Sequence, residues 1–288
     1  MTERKLQSDT ENIKEADGER KTVTGLVDMH VHSSYSADSK TGLAEYSARA
    51  GELGLKGLCF AEHADYNPAE EHFGFFSYQD FTLSFQDLQD SLEEGKNELS
   101  LLKGIEYSEP HIYSKKFQQL KKKKFDMIMA AVHWVKGGFV GNEEIIAEYP
   151  PREIFACYYD KLLKTARFGG FDVLAHFDFP RRYLGAEAAE GFAEVEREIL
   201  RELVEQNIAL EVNTSPIRKA GLEPLPSARI RLEYYRLGGR RVVLGSDAHS
   251  LEELGRDLAQ AYRMIRRIGL TAGYFKSREF VHYGSEIH

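Results

Sequence analysis

The feature that most constrains the fold of this chain is a regular alternation of short apolar runs with longer amphipathic stretches. The runs of strand length open at residues 25–27 and continue at 57–61, 101–105, 125–132, 170–175, 208–212 and 241–245. The stretches with helical periodicity lie at residues 43–53, 78–102, 117–124, 151–167, 188–206, 227–237 and 250–268. Such alternation is typical of repeated βα units, and 288 residues suit one α/β barrel. The sequence therefore predicts an α/β fold with seven strands.

Two helix boundaries carry specific signals. Gly54 follows the first predicted helix and can adopt the left-handed conformation that ends a helix. Ser250 and Glu253 have the spacing of a capping box, which predicts that the last helix begins at Ser250. Residues after 270 carry no interpretable signal.

Charge and composition restrict the partners of the chain. The net charge of -8 argues against nucleic-acid binding, which requires a basic surface. No apolar run approaches the ~20 residues that span a bilayer. Two cysteines, Cys59 and Cys157, are too few for a disulfide framework, which favours the cytoplasm.

We expect residues 1–22, which have mixed charge, to form a flexible leader, and residues 23–288 to form one domain.

Histidine and carboxylate residues follow the predicted strands at matched positions. In α/β barrels the carboxyl ends of the strands form one rim, which carries the chemistry. Six of the ten histidines lie at such positions, whereas His72, His111, His282 and His288 do not and are expected in the surface or the core. The candidates for one shared mouth are His30, His32, Glu62, His63, Glu106, His133, His176, Asp247 and His249. The sequence therefore predicts a metal site at this rim.

The number and chemistry of these candidates indicate the kind of metal site. Within the first strand, the spacing of His30 and His32 points both imidazoles to the same side. A tetrahedral zinc ion takes four ligands, so nine candidates indicate a cluster of two or three ions. Imidazole and carboxylate ligands without cysteine are compatible with zinc, manganese or iron. A carboxylate-bridged cluster can supply hydroxide at neutral pH and hold the oxygens of a phosphoryl group.

Five short motifs, taken together and in order, resemble the PHP (polymerase and histidinol phosphatase) superfamily. They extend over residues 23–268 and are Asp28-x-His30-x-His32-Ser33, Glu62-His63, Gly104-Ile105-Glu106, Ala131-Val132-His133 and Gly245-Ser246-Asp247-Ala248-His249. Two further segments, residues 176–183 and 210–219, are similar to the histidinol-phosphate phosphatase branch.

This resemblance implies a distorted, TIM-barrel-like (β/α)7 barrel that binds three divalent metal ions. It assigns the ligands as follows: His30, His32, Glu106 and Asp247 to the first ion, His133 and His176 with a bridging Glu106 to the second, and Asp38, His63 and His249 to the third. Many relatives carry histidine at the position of Asp38.

The resemblance also leads to a hypothesis for the activity. A metal-bridging hydroxide would hydrolyse a phosphate monoester, with L-histidinol phosphate in histidine biosynthesis as the expected substrate. Arg218 and one or both of Arg181 and Arg182 would bind the phosphate oxygens, since guanidinium groups offer bidentate geometry. Arg218→Ala would then weaken substrate binding and leave the metals in place.

The remaining roles and alternatives are less specific. Asp247 or His249 could protonate the leaving alkoxide, and Asp28 and Glu62 are expected to orient ligand histidines. The alternatives are a phosphodiesterase or nuclease that uses the same cluster, and a non-catalytic metal-binding module. A small phosphorylated substrate is the expected partner, and the sequence does not indicate an oligomeric state.

Overall fold

The computed structural model describes residues 25–283, so the predicted leader at residues 1–22 lies outside the described residues. Seven parallel strands follow one another in the main sheet: β1 (Val27–Val31), β2 (Gly57–Ala64), β3 (Ser100–Ser108), β4 (Met127–Ala131), β7 (Val173–Leu174), β8 (Ala209–Asn213) and β9 (Arg241–Gly245). A short hairpin, β5 (Trp134–Val135) with β6 (Gly138–Phe139), forms a separate sheet between β4 and β7. The predicted α/β fold with seven successive parallel strands is confirmed.

Helices connect the strands and cover the outside of the sheet. They are α1 (Leu43–Leu53), α2 (Tyr78–Glu94), α3 (Ser114–Leu120), α4 (Glu143–Glu148), α5 (Pro151–Phe168), α6 (Arg181–Leu184), α7 (Ala193–Glu205), α8 (Ser215–Ala220), α9 (Ala228–Arg236) and α10 (Leu258–Ile268). Helix α1 ends at Gly54, whose φ of 73° is the predicted left-handed stop. No helix in the described part of the chain is long and apolar enough to cross a membrane.

The first and last of the seven strands approach each other at their carboxyl ends. A parallel bridge joins Val31 to Ala248, just beyond β9. The His32 amide donates to the Ala248 carbonyl at 2.9 Å, and the Asp247 amide donates to the His30 carbonyl at 2.8 Å. The carboxyl ends of β1 and β9 therefore lie side by side, as a TIM-barrel-like rim requires.

A bulge in β1 determines which side chains point into the barrel. Val27 and Met29 pack in the inner apolar cluster with Cys59 and Ala61 of β2. The register of β1 on β2 then shifts by one residue between Asp28 and Val31. Since a bulge reverses the alternation of faces, the histidines that follow also point inward.

The chain departs from the predicted pattern near its end. Helix α10 begins at Leu258 and not at Ser250, because Gly255 with a φ of 68° and Asp257 with a φ of 62° are left-handed and interrupt a helical backbone. The Glu253 carboxylate accepts from the His249 amide at 2.8 Å in place of the predicted capping contact. The segment without signal forms β10 (Thr271–Lys276) and β11 (Glu279–His282), and β10 extends the sheet beside β9. Three predicted helices are also shorter than expected, since α2 ends at Glu94, α3 ends before the lysine run 121–124, and α7 begins at Ala193.

Candidate metal centre

The rim of the barrel brings the predicted histidines and carboxylates into one buried cluster. Three groups have ligand atoms within 4.8 Å of one another: His30, His32 and Glu106; Glu106, His133 and His176; and His32, His63 and His249. The groups share Glu106 and His32, so they form a continuous cluster of donors rather than three separate sites.

Glu106, at the end of β3, lies at the middle of this cluster and is only 1% exposed. Its Oε2 lies 3.0 Å from His63 Nδ1 and 3.4 Å from His30 Nε2. Its Oε1 lies 2.8 Å from His176 Nε2 and 3.4 Å from His133 Nε2. Burial alone would raise the pKa of Glu106, but the neighbouring imidazoles hold that pKa well below its ordinary value. An ionised carboxylate with one oxygen toward each half of the cluster has the arrangement of a bridging ligand.

Asp247 follows β9 and reaches the cluster from the other side. Its Oδ1 lies 3.5 Å from His32 Nε2 and 3.9 Å from His30 Nε2, while its Oδ2 accepts from Arg182 Nη2 at 2.6 Å. Burial opposes ionisation, yet the Arg182 guanidinium and the His32 ring keep the pKa of Asp247 well below its usual range. The φ of Asp247 is 55°, in the left-handed region that aspartate tolerates better than most residues other than glycine.

Asp38 completes the outer edge of the cluster. Its Oδ2 lies 3.0 Å from His249 Nε2 and 3.4 Å from His63 Nε2. The Asp38 side chain is 50% exposed, in contrast to Glu106. The third predicted group is therefore the one most open to solvent.

The chemistry of these donors fits divalent metal ions. Three ring nitrogens that face the cluster, His30 Nε2, His32 Nε2 and His63 Nδ1, are buried and have no hydrogen-bond partner. An unpaired buried polar atom costs about 1–3 kcal/mol, so such atoms in a native site call for a ligand. Imidazoles and carboxylates without a thiolate are ordinary ligands of zinc, manganese and iron.

Glu211 on β8 is a member of this site that the sequence reasoning missed. Its Oε1 lies 2.5 Å from His30 Nδ1, and its Oε2 accepts from the His176 amide at 2.7 Å. A Cβ at Gly245 would approach both Glu211 Oε1 and His30 Cβ to 2.5 Å, so this close packing needs glycine there. Glu211 therefore fixes the ring of His30 and the backbone that carries His176. The sequence feature that could have indicated Glu211 is a carboxylate within an otherwise apolar run of strand length.

Three further polar residues support His133. Ser108 Oγ lies 2.8 Å from His133 Nδ1, and Glu109 accepts from the amides of His133 at 2.7 Å and Trp134 at 2.9 Å. Asp65, just after β2, lies 3.8 Å from the same His133 nitrogen. None of these three supporting residues was identified from the sequence.

Asp28 and Glu62 do not orient ligand imidazoles directly, as the sequence had led us to expect. Asp28 accepts from the backbone amides of His30 at 3.3 Å and Ser246 at 2.9 Å, so it joins β1 to the loop after β9. Glu62 accepts from Ser36 Oγ at 2.6 Å, and only that hydroxyl lies near His32 Nδ1, at 3.3 Å. Burial raises the pKa of Glu62 to about 7.

A cleft of about 400 Å³ lies above the cluster, and of the three predicted phosphate-binding arginines only Arg182 lines it. Arg182 also stacks on Phe179, with its guanidinium carbon 4.7 Å from the ring centre. Arg181 lies outside the cleft, because Asp178 at 3.3 Å and Glu223 at 3.4 Å hold its guanidinium on the other side of α6. Its expected contact with phosphate is not supported by this placement.

Arg218 also differs from its expected position. Its Nε donates to Glu253 Oε1 at 3.1 Å, and its Nη2 donates to the carbonyls of Ser246 at 2.7 Å and Asp247 at 3.1 Å. Arg218 therefore braces the loop that carries Asp247 and does not line the cleft. The neighbouring Lys219, which the sequence reasoning did not select, lines the cleft instead.

The histidines without a strand-end position have different surroundings. His111 Nδ1 lies 2.9 Å from Thr165 Oγ1, away from the cluster, and burial lowers the pKa of His111 to about 4. His282 lies at the end of β11, and His288 is outside the described residues. His72 is exposed, in agreement with the expectation, and lies on the rim of the cleft.

Two proteins of similar sequence and one solved structure of similar fold are all described as histidinol phosphatases. A "Probable histidinol-phosphatase" from Thermotoga maritima is 29% identical over 84% of this chain and 92% of its own length. A "Histidinol-phosphatase" from Lactococcus lactis is 28% identical over 84% of this chain and 91% of its own length. The fold matches the crystal structure of histidinol phosphate phosphatase from Lactococcus lactis complexed with zinc, L-histidinol and phosphate, with a TM-score of 0.75, 24% identity, and coverage of 90% of this chain and 99% of that chain.

The model of the PHP domain family matches residues 28–215, from Asp28 on β1 to the start of α8. That range includes most of the rim residues described above, and it makes up more than half of the chain. The chain therefore belongs to the PHP domain family.

Proposed function

We propose that this protein is a metal-dependent phosphate monoester hydrolase that converts L-histidinol phosphate to L-histidinol and phosphate. The observation that carries the proposal is the continuous cluster of imidazoles and carboxylates beneath a cleft that also contains Arg182 and Lys219. The names of the relatives in Thermotoga maritima and Lactococcus lactis support the choice of substrate. Residues 23–288 are proposed to act as one domain.

The proposed centre takes three divalent ions, which the ligand chemistry allows to be zinc, manganese or iron. The proposed ligands are His30, His32, Glu106 and Asp247 for one ion, His133, His176 and Glu106 for the second, and Asp38, His63 and His249 for the third. The two groups of neighbouring donor atoms that share Glu106, together with the orphaned ring nitrogens, support the first two sites. The contacts of Asp38 with His63 and His249 support the third. Such ions, when bound, neutralise phosphoryl charge and make water a nucleophile near neutral pH.

Cationic side chains at the cleft are proposed to hold the phosphate. Arg182 is stacked on Phe179 and hydrogen-bonded to Asp247, so its guanidinium is fixed beside the cluster with donors left over for an anion. Lys219 adds a second positive charge at the same cleft. We therefore assign phosphate binding to Arg182 and Lys219 in place of Arg181 and Arg218.

Asp247 and His249 were the two candidates for protonating the leaving alkoxide. Asp247 Oδ2 already accepts from Arg182 and from Ser215 Oγ, and the Asp247 side chain is only 7% exposed. His249 is 21% exposed and lines the cleft. Its Nδ1 lies 3.0 Å from the Asp247 carbonyl, so once Nε2 binds the third ion the ring has no nitrogen left to protonate the alkoxide. We therefore propose that Asp247 and His249 act as ligands and that neither is the general acid.

Reconstitution with zinc, manganese or iron, followed by a screen of phosphate monoesters, tests the proposal. We expect phosphate release from L-histidinol phosphate with at least one of these metals, and loss of that activity after chelation. A diester, bis-p-nitrophenyl phosphate, serves as the control and is expected to react much more slowly. If no monoester releases phosphate with any of the three metals, the proposed function is wrong.

Arg218→Ala should now behave differently from a phosphate-binding variant. Loss of the contacts to Glu253 and to two backbone carbonyls frees the loop that carries Asp247 and His249. We expect metal affinity to fall about 10–100-fold, as for other residues that hold ligands in place. Metal titration of the purified variant measures this effect.

Lys219→Ala is the matched control for Arg218→Ala, since it removes a neighbouring cation on the same helix. It should raise KM for the phosphate ester by about tenfold, as expected when one hydrogen bond to a charged group is lost, and leave metal affinity unchanged. If Arg218→Ala raises KM in the same way and binds metals normally, Arg218 contacts phosphate and the bracing role is wrong.

A further inference from the structure

The cleft has a wall that the proposed metal and phosphate sites do not use. This wall is residues 66–76, called here the rim loop, which follows β2 and Asp65 and contributes Glu70, His72 and Phe75 to the lining. Arg182 and Lys219 lie in the lining of the same cleft. Because a cleft of about 400 Å³ is larger than a phosphate group needs, there is room for the alcohol part of the ester as well.

The rim loop is held in shape by its own contacts. The Gly74 amide donates to the Asp65 carbonyl at 3.1 Å and so closes the base of the loop. The ring of Tyr66 lies 5.6 Å from that of Tyr107 on β3. At the other end Phe76 is buried. The backbone that carries Glu70 and Phe75 is therefore held in place before any ligand binds, which lowers the cost of binding.

Glu70 and Phe75 are the rim-loop residues best suited to an organic group. In the described residues, no ion pair or hydrogen bond involves the Glu70 carboxylate, although the residue is half-buried in the cleft wall. Phe75 is 53% exposed and lines the cleft, so its ring is open to a ligand there. A free carboxylate and an open aromatic ring in the lining of one cleft are suited to a cation that carries a flat or apolar part.

The cleft therefore carries opposite charges in its lining. Arg182 and Lys219 are positive, whereas Glu70 has no cation to neutralise it among the described residues. A phosphate ester whose alcohol carries a positive charge matches both kinds of charge, but a neutral or anionic alcohol does not.

We propose that Glu70, assisted by Phe75, is a specificity-determining residue that selects phosphate esters with a positively charged alcohol. The inference rests on the proposed phosphatase function and adds to it the side chain that recognises the leaving group. It assigns no step of the reaction to Glu70, which acts only through the binding of the alcohol part.

Glu70→Gln tests the inference because it removes the charge and keeps the size of the side chain. With the metal-loaded enzyme, kcat/KM for L-histidinol phosphate should fall about tenfold, chiefly through KM, as expected for the loss of one charged contact. For p-nitrophenyl phosphate, which has no cationic group, kcat/KM should change less than about twofold. Glu71→Gln is the matched control, since Glu71 is exposed, adjacent and outside the cleft lining.

The outcomes separate this inference from the proposed function. An equal loss for both esters, or no loss for either, would overturn the role of Glu70. If the wild-type enzyme hydrolyses p-nitrophenyl phosphate but not L-histidinol phosphate, the proposed substrate is wrong. In that case two simpler esters test Glu70: phosphoethanolamine, whose alcohol part is positively charged, and glycerol phosphate, whose alcohol part is neutral. The ratio of kcat/KM for the first to kcat/KM for the second should be higher in the wild type than in Glu70→Gln.

Discussion

Replacement of Glu106 by glutamine is expected to abolish phosphatase activity, with kcat/KM falling roughly 1,000-fold or more, because the proposed bridge between two ions is lost. The two oxygens of Glu106 face different halves of the cluster, with Oε2 near His63 and Oε1 near His176. Glutamine has the same shape but carries no charge and has only one acceptor oxygen. Metal content, measured on the purified variant, should fall in parallel with activity.

Glu98→Gln is the control for this prediction. It makes the same chemical change just before β3, at the opposite end of the strand that carries Glu106, where the side chain is exposed. Both variants should keep the circular dichroism spectrum of the wild type. Full metal content and near-normal activity in Glu106→Gln would remove Glu106 from the centre and contradict the proposed arrangement.

Replacement of Glu211 by glutamine is expected to weaken metal binding about 10–100-fold without touching any proposed ligand. Glu211 accepts from two donors at once, since Oε1 faces His30 Nδ1 at 2.5 Å and Oε2 faces the His176 amide at 2.7 Å. A glutamine side chain has one acceptor oxygen and must place its NH₂ group against one of these donors. Either the ring of His30 turns or the backbone at His176 shifts.

Metal affinity of Glu211→Gln, measured by competition with a chelator, checks this expectation. Glu205→Gln, at the exposed end of α7, provides the same change away from the barrel. Lower activity should be recovered in part by excess metal, because the variant impairs the positioning of ligands and removes none of them. An unchanged affinity together with lost activity would assign Glu211 a role in the reaction itself.

The strand pattern and the ligand set were predictable from the sequence for a simple reason. Parallel strands of a βα barrel all end at one rim, so residues such as His30, His133 and Asp247 can be placed together without knowledge of the packing. This inference needs only the order of the elements and the position of each residue after its strand. Asp65 and Ser108 could not be predicted in this way, because nothing in their local sequence marks them as neighbours of His133.

The roles of the arginines show the limit of this reasoning. Arg181 and Arg182 are adjacent in helix α6 but point in different directions. Arg181 contacts Asp178 and Glu223, whereas Arg182 contacts Asp247. Arg218 and Lys219 are divided in the same way between a loop and the cleft. Adjacent residues on a helix point about 100° apart, so only the neighbours of the helix determine which of them faces the site.

The sequence by itself determined the α/β class, the seven strands and the residues at their carboxyl ends, because these depend on local periodicity and on a general property of parallel barrels. Only the tertiary structure decided how those residues are used. The bulge in β1 turns His30 and His32 inward, and Glu211, 181 residues away from His30, fixes its ring. Such contacts depend on register and on side-chain packing between distant segments, and a linear pattern carries no information about either.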